Sequence, residues 1–443
     1  MKRILTLVIS CCAAAIFAQT DQHVVLVSVD GFRPDFYLEA KWPSPNLKQM
    51  AKEGVQALGV RGVFPSVTYP SHTTLITGAT PLHHGVYYNA QFEPEGQTGR
   101  WYWESNLIQT KTLWKAVQEK GGTTASFFWP VSVGGAIDYN VPEVWTVDRK
   151  GPFLGANRAN ENPKGFLAEL EEKATGKLTS ANFNGDYLNR EDKTGDMAAY
   201  TLETYKPNFM TVHLIATDHF QHAEGKEGPM VYKSIAAVDR AIGKIMEAAE
   251  RAKILDKTTF IITGDHGFVD IHSALSPNIW LKEMGLLADS KERGNWKAVF
   301  HTSGASAFLI LKDAKDKKTL EQVKNKLDSL PAKYKKLFRV IEKEELNTVG
   351  ASKEAALALA PVEGVAMSGS TEGNVLKPRK GGTHGFFPDF KAIETGFVAW
   401  GALTTNEKTI EKMNLEDIAP LIAEMLQLDF EAKDGIAYPG ILK

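Results

Sequence analysis

FMTVHLIATD at 209–218, VYKSIAAVDRAIGKIMEAAERAKIL at 231–255 and TFIITGDHG at 259–267 read in succession as strand, helix and strand. The outer two are short apolar runs that stop at an aspartate, and the middle one repeats apolar residues at helical spacing over too long a span for a strand. Strands joined through a helix lie parallel, since antiparallel neighbours need only a tight turn. Further apolar runs, VVLVSVD at 24–30, QALGVRGVF at 56–64 and TASFFWP at 124–130, alternate with the helical patterns SPNLKQMAKEG at 44–54 and TLWKAVQEKGG at 112–122. This alternation predicts an α/β fold with a largely parallel central sheet and helices on both faces. Such sheets bind ligands beyond the carboxyl ends of their strands.

Asp30, Asp218 and Asp265 all fall at such ends. His222 follows Asp218 by four positions, so a helix there puts both on one face. His266 adjoins Asp265 in GDHG, where a turn lets both side chains converge, and His384 lies in a second glycine-rich turn, GGTHG at 381–385. Imidazole and carboxylate together suit zinc, and two zinc ions about 3.5–4 Å apart can hold the attacking and leaving oxygens of a displacement at phosphorus. Thr68, in FPSVTYPSH at 64–72, adds a hydroxyl that needs a metal or a base beside it to act as a nucleophile. PSHTTLITG at 70–78 reads as a short helix beginning near Pro70, whose N-terminus suits a phosphoryl group.

Taken singly, these residues read as caps, turns or surface histidines. Their joint order along alternating strands and helices points to a metal site. His83, His84, His219, His272 and His301 lack a spacing argument and read as structural or supporting residues, while His213, inside an apolar strand, reads as a core histidine.

The segments VDGFRPDF at 29–36, FPSVTYPSHTTLITG at 64–78, HHGVYYN at 83–89, FFWP at 127–130, the Asp218/His222 pair, GDHG and GTHG resemble the alkaline phosphatase superfamily. The closest likeness is to its nucleotide pyrophosphatase/phosphodiesterase branch, from about Val24 to about Leu428. The resemblance implies two zinc ions per chain, one held by Asp30, Thr68, Asp265 and His266 and the other by Asp218, His222 and His384. It also implies that Thr68 is the nucleophile, that the Asn89 amide binds a phosphoryl oxygen, and that Tyr69 stacks on a nucleobase. The implied reaction releases nucleoside 5′-monophosphates from nucleotide phosphodiesters or pyrophosphates through a phosphothreonine intermediate. Ser71 stands where many members have Asn, and Gln221 where Gly is usual; neither is a ligand. The stretch Thr68-Tyr69-Pro70-Ser71-His72 lacks the Cys/Ser-x-Pro-x-Arg pattern of arylsulfatases, and no basic pair near FFWPVSVGGAIDYN grips a doubly charged monoester, which favours a diester.

The alternatives are a phospholipid-type or glycerophosphodiester hydrolase on the same two-metal site, with Tyr69 and Trp129 lining an aromatic pocket, a phosphomonoesterase, and a non-catalytic binding protein. The last should have lost ligands, and all seven positions are filled.

Residues 1–18, MKRILTLVISCCAAAIFA, carry a basic start, an apolar run and small residues, the pattern of a secretory signal peptide. The expectation is an exported protein, periplasmic or secreted, with residues 19–443 forming an alkaline phosphatase-like catalytic domain. Acylation of Cys11 as a lipoprotein anchor is the alternative. Cys11 and Cys12 are the chain's 2 cysteines, so the remainder has neither thiols nor disulfides. Formal charge is −2, and no Lys/Arg stripe suggests nucleic-acid binding, so small phosphodiester or nucleotide substrates are expected. No later apolar run is long enough to span a membrane. Between His266 and His384, about 277–380, the patterns ASAFLILK, TLEQVKNKLDSL and LFRVIEKEEL predict a smaller inserted subdomain. EDIAPLIAEMLQL at 416–428 predicts a late helix, and GPFLGANRANENPKG at 151–165 a loop or cap near the substrate.

Overall fold

Successive side chains of a strand point to opposite faces, and the strand His23–Val29 uses both. Val25, Val27 and Val29 enter one apolar cluster, Val24 and Leu26 another. The first cluster is completed by the helices Pro45–Glu53, Tyr187–Tyr205 and Pro229–Arg251. The second is completed by Thr68–Thr77, Leu113–Glu119 and Ile418–Met425. A sheet buried on both faces explains why its strands are apolar throughout. This computed structural model describes residues 21–148, 150–288 and 294–443, so the signal-peptide reading of residues 1–18 lies outside the described residues.

The central sheet has 8 strands. Its middle runs Thr258–Thr263, His23–Val29, Phe209–Leu214 and Thr124–Phe127, every neighbour parallel. Tyr139–Val141 extends one side in parallel, while Phe397–Gly401 pairs antiparallel with both Thr258–Thr263 and Val55–Ala57. The fold is therefore the expected α/β architecture with a largely parallel sheet. The run QALGVRGVF yields only the short strands Val55–Ala57 and Val60–Arg61, because Gly59 and Gly62 interrupt it.

Between the site-bearing turns, Ala298–Ser303, Ser306–Leu311, Leu357–Pro361 and Phe338–Ile341 form a separate antiparallel sheet of 4 strands. The helix Lys317–Asp328 packs Val323 and Leu327 into the cluster under it. Among the described residues, no helix is long and apolar enough to cross a membrane.

Candidate active site

Three neighbouring parallel strands end at one edge of the sheet, and each hands over to an aspartate. Asp30 follows His23–Val29 directly, Asp218 lies in the helix Ala216–Glu224 entered from Phe209–Leu214, and Asp265 comes just after Thr258–Thr263. Strands spaced about 4.8 Å apart thus gather residues far apart in sequence. The structure brings His222, His266 and His384 to the same place. His222 Nε2 is 3.3 Å and His384 Nε2 3.5 Å from Asp218 Oδ1. His266 Nε2 is 3.1 Å from Asp265 Oδ2 and 3.3 Å from Asp30 Oδ1. Two groups have donor atoms within 4.8 Å of one another, Asp218/His222/His384 and Asp30/Asp218/His266. Asp218 thus stands in both groups, and the second is tied to Asp265 through His266.

Asp30, Asp265 and the three histidines are each anchored by one atom and leave another facing the site. Asp265 Oδ1 accepts from the backbone N–H groups of Gly31 and His266 at 3.1 and 3.0 Å, and Asp30 Oδ2 lies 3.1 Å from His213 Nε2. The Nδ1 atoms of His222, His266 and His384 face the carbonyls of Gly382, Gly267 and Ser66 at 3.0, 3.0 and 3.1 Å. A proton on each Nδ1 turns the Nε2 lone pair toward the carboxylates, the tautomer a metal requires. Asp30 Oδ1, Asp218 Oδ1, Asp265 Oδ2 and His266 Nε2 are buried without a hydrogen-bond partner. Buried polar atoms are rarely left so, and lone pairs facing carboxylate oxygens need cations between them. The donor set fits divalent metal.

The charges follow. Burial, then Asp265 and Asp218, push the Asp30 carboxyl well above its ordinary range. Burial works the same way on Asp218 but is overcome by His222, His384 and His266, which bring it to about 2. His266 is lifted to about 9 by Asp265, Asp30 and Asp218 against the opposing effect of burial. Burial lowers His384 to about 3, so it is neutral and free to ligate.

Thr68 is the first residue of the helix Thr68–Thr77, which begins two positions ahead of Pro70, and it lines a cavity of about 600 Å³ together with Asp30 and Asp218. Asn89 Oδ1 accepts from the Tyr69 backbone N–H at 2.9 Å, which fixes the amide beside Thr68. Its Nδ2 makes no hydrogen bond to the described residues. Gly31 has φ +70°, and a Cβ there would sit 2.8 Å from Gln221 Nε2. Gln221, the departure from the usual glycine, is buried, donates to the Gly31 carbonyl at 2.9 Å and accepts from Arg33 at 2.6 Å. It fastens the Asp30 loop to the helix that carries Asp218 and His222.

Two expected substrate contacts are corrected. Tyr69 is fully buried, its ring edge-on to Trp101 and its hydroxyl donating to Glu143 at 3.1 Å, so Trp101 and Trp145 face the cavity in its place. Trp129 is fully buried against His72 and donates to the His72 carbonyl at 3.3 Å; it does not reach the cavity. Two further histidines line the cavity. His213, read as a core residue, lines the cavity and bridges Asp30 and Glu143, with Nδ1 3.1 Å from Glu143 Oε2. His219 stacks on Tyr187 at 3.7 Å on the cavity wall. Nothing local in the sequence marks Glu143; the polar His213 inside an otherwise apolar strand was the signal for its partner. The segment 151–165 does reach the cavity, through residues including Leu154 and Asn157.

Comparison with known proteins places the chain in a family. The chain is 28% identical over 268 residues to rat ectonucleotide pyrophosphatase/phosphodiesterase family member 7, covering 58% of this chain and 52% of the relative. It is 23% identical to the bis(5′-adenosyl)-triphosphatase enpp4 of Xenopus laevis, over 93% of this chain and 79% of that protein. The chain thus spans about half the length of the mammalian family member 7 proteins it matches. In structure it is similar to human ectonucleotide pyrophosphatase/phosphodiesterase 5, with TM-score 0.69 and 20% identity over 95% of this chain and 100% of that one. An inactive form of the murine protein in complex with AMP gives TM-score 0.66 at 21% identity over the same shares. With residues 24–387 matching the family model as well, the chain belongs to the type I phosphodiesterase / nucleotide pyrophosphatase family.

Proposed function

We propose that the chain is a two-zinc hydrolase of nucleotide phosphodiester and pyrophosphate bonds that releases nucleoside 5′-monophosphates through a phosphothreonine intermediate. The observation that carries this reading is the convergence of unpartnered Asp30, Asp218, Asp265 and His266 atoms at the sheet edge, where Asp30 and Asp218 line a cavity together with Thr68. Asp218, His222 and His384 would hold one ion, and Asp30, Thr68, Asp265 and His266 the other. When bound, such a pair lowers the pKa of an attached hydroxyl and offsets charge on the transferring phosphoryl group.

Thr68 Oγ1 attacks phosphorus and the bond to the leaving oxygen breaks, leaving phosphorus on the threonine. Water then attacks the same phosphorus, releases the monophosphate and restores the hydroxyl. Two inversions give retention. The Asn89 amide donates to a phosphoryl oxygen as charge builds, and the helix start beside it adds a favourable dipole. A nucleoside 5′-monophosphate as product is in keeping with the AMP held by the murine relative, and a dinucleoside substrate with the name of the Xenopus one. Export of the protein belongs to the same proposal.

The test compares p-nitrophenyl thymidine 5′-monophosphate with p-nitrophenyl phosphate. Diester turnover in excess is expected; a large monoester excess overturns the substrate class.

A further inference from the structure

We propose that Arg190 is a receptor for a second anionic group of the substrate, so that pyrophosphate-bearing nucleotides are favoured over diesters with a neutral or cationic leaving alcohol. The inference rests on the phosphodiesterase reading of the site. Arg190 sits in the first turn of the helix Tyr187–Tyr205 and lines the same cavity as Thr68, Asp30 and Asp218. It is the one Lys or Arg among the described residues of that lining. Its guanidinium carbon lies 5.1 Å from the ring centre of Phe128 and 5.0 Å from that of Phe183.

What sets Arg190 apart is its place on the cavity wall without a carboxylate partner; Arg61 and Arg379 also have none within 4.0 Å among the described residues but lie outside that lining. Arg33, Arg100, Arg158, Arg240, Arg251 and Arg339 each have one within 4.0 Å, whereas Arg190 has none among the described residues. Its hydrogen bond is a long one, 3.5 Å to Asn184 Oδ1. The carboxylates that approach it are committed elsewhere. Glu191 accepts from the Ala216 backbone N–H inside the protein, and Glu143 is engaged by Tyr69 and His213.

A half-buried cation whose approaching carboxylates, Glu143 and Glu191, are held by other partners is only partly compensated. Aromatic faces hold a guanidinium in place, and its planar fork matches two phosphate oxygens at once. The scissile phosphoryl group already has Thr68, the helix start and the Asn89 amide at the strand edge. Arg190 belongs to a different wall, built by residues such as Phe183, Asn184 and Tyr187, and joined to the strand edge by the stack of Tyr187 on His219. It therefore serves a charge beyond the bond that breaks, such as the diphosphate leaving group of a nucleoside triphosphate. A choline ammonium there would face a like charge.

The experiment uses the zinc-loaded full chain and compares thymidine 5′-triphosphate with p-nitrophenyl thymidine 5′-monophosphate, two substrates that share their nucleoside and scissile phosphorus. In Arg190→Gln, kcat/KM for the triphosphate should fall roughly 10–100-fold, as for loss of a charge-assisted pair, while the nitrophenyl diester stays within about threefold. Arg190→Lys, which keeps the charge, should recover part of the loss. Equal losses on both substrates make Arg190 a packing residue and overturn the inference. So does an unchanged triphosphate rate, and so does a loss largest on p-nitrophenyl phosphate, which would put Arg190 on the scissile group. A wild-type chain that turns over neither nucleotide sinks the phosphodiesterase reading itself, an outcome separate from those.

Discussion

The carboxyl edge of the central sheet and the four-stranded sheet of 298–361 are built to opposite rules. At the edge, buried atoms of Asp30, Asp218, Asp265, His72 and His266 lack partners, and carboxylates crowd against one another. In the four-stranded sheet, no buried side-chain nitrogen or oxygen among the described residues is left unpartnered, and Leu309, Leu357 and Leu359 are fully enclosed by apolar neighbours. Unmet polar demand is destabilising, and at this edge the unmet atoms are carboxylate and imidazole groups that a cation would satisfy together. The first region is organised for binding and the second for packing.

The contrast breaks most sharply at Thr68, the proposed nucleophile. Thr68→Ala should lower kcat roughly 10⁴-fold or more and abolish phosphate labelling of the protein by a labelled substrate; preserved labelling would move the nucleophile elsewhere. Metal content comes next. Elemental analysis should find about two zinc ions per chain, a chelator should remove both zinc and activity, and added zinc should restore them. Asp218→Asn, which touches both ligand groups, should lose more zinc than His222→Ala.

His213 sharpens the comparison one layer out, since it holds Asp30 Oδ2 while Oδ1 stays free. His213→Gln should weaken zinc binding roughly 10–100-fold, as expected for a residue orienting a ligand, measured by competition with a chelating dye. In the other region, Leu309→Ala should cost about 2–5 kcal/mol of stability by denaturant unfolding while kcat/KM of the folded enzyme stays at its wild-type value. A fall in kcat/KM would show that the two regions are coupled. The smallest effect belongs to the exposed Lys326–Glu283 pair, 3.2 Å apart. Lys326→Ala should change stability by less than about 1 kcal/mol.

The convergence of the proposed ligands was legible because each of Asp30, Asp218 and Asp265 ends an apolar run, and that punctuation survives in one dimension. Asp218 and His222 were legible as a pair because helical spacing is local. Tyr69 was misread because adjacency to Thr68 does not say which way a ring points; the helix Thr68–Thr77 is buried on every side, so Tyr69 turns inward, and Trp129, from a distant segment, packs against His72 in that same helix. His213 looked like core because its neighbours in the strand are apolar. Its partners Asp30 and Glu143 come from 183 and 70 residues away. Likewise no basic pair stands near FFWPVSVGGAIDYN in the sequence, and the cavity's arginine arrives from the helix Tyr187–Tyr205.

From its residues alone, the chain declared an alternating α/β fold and which carboxylates would stand at strand ends, because periodicity and termination are local properties of the backbone. Strand order was beyond that reach. Thr258–Thr263 flanks His23–Val29 on one side and Phe209–Leu214 flanks it on the other. That non-consecutive arrangement is set by how helices cover both faces, and it decides which side chains meet, which aromatics face the cavity, and which charges are left waiting for a partner.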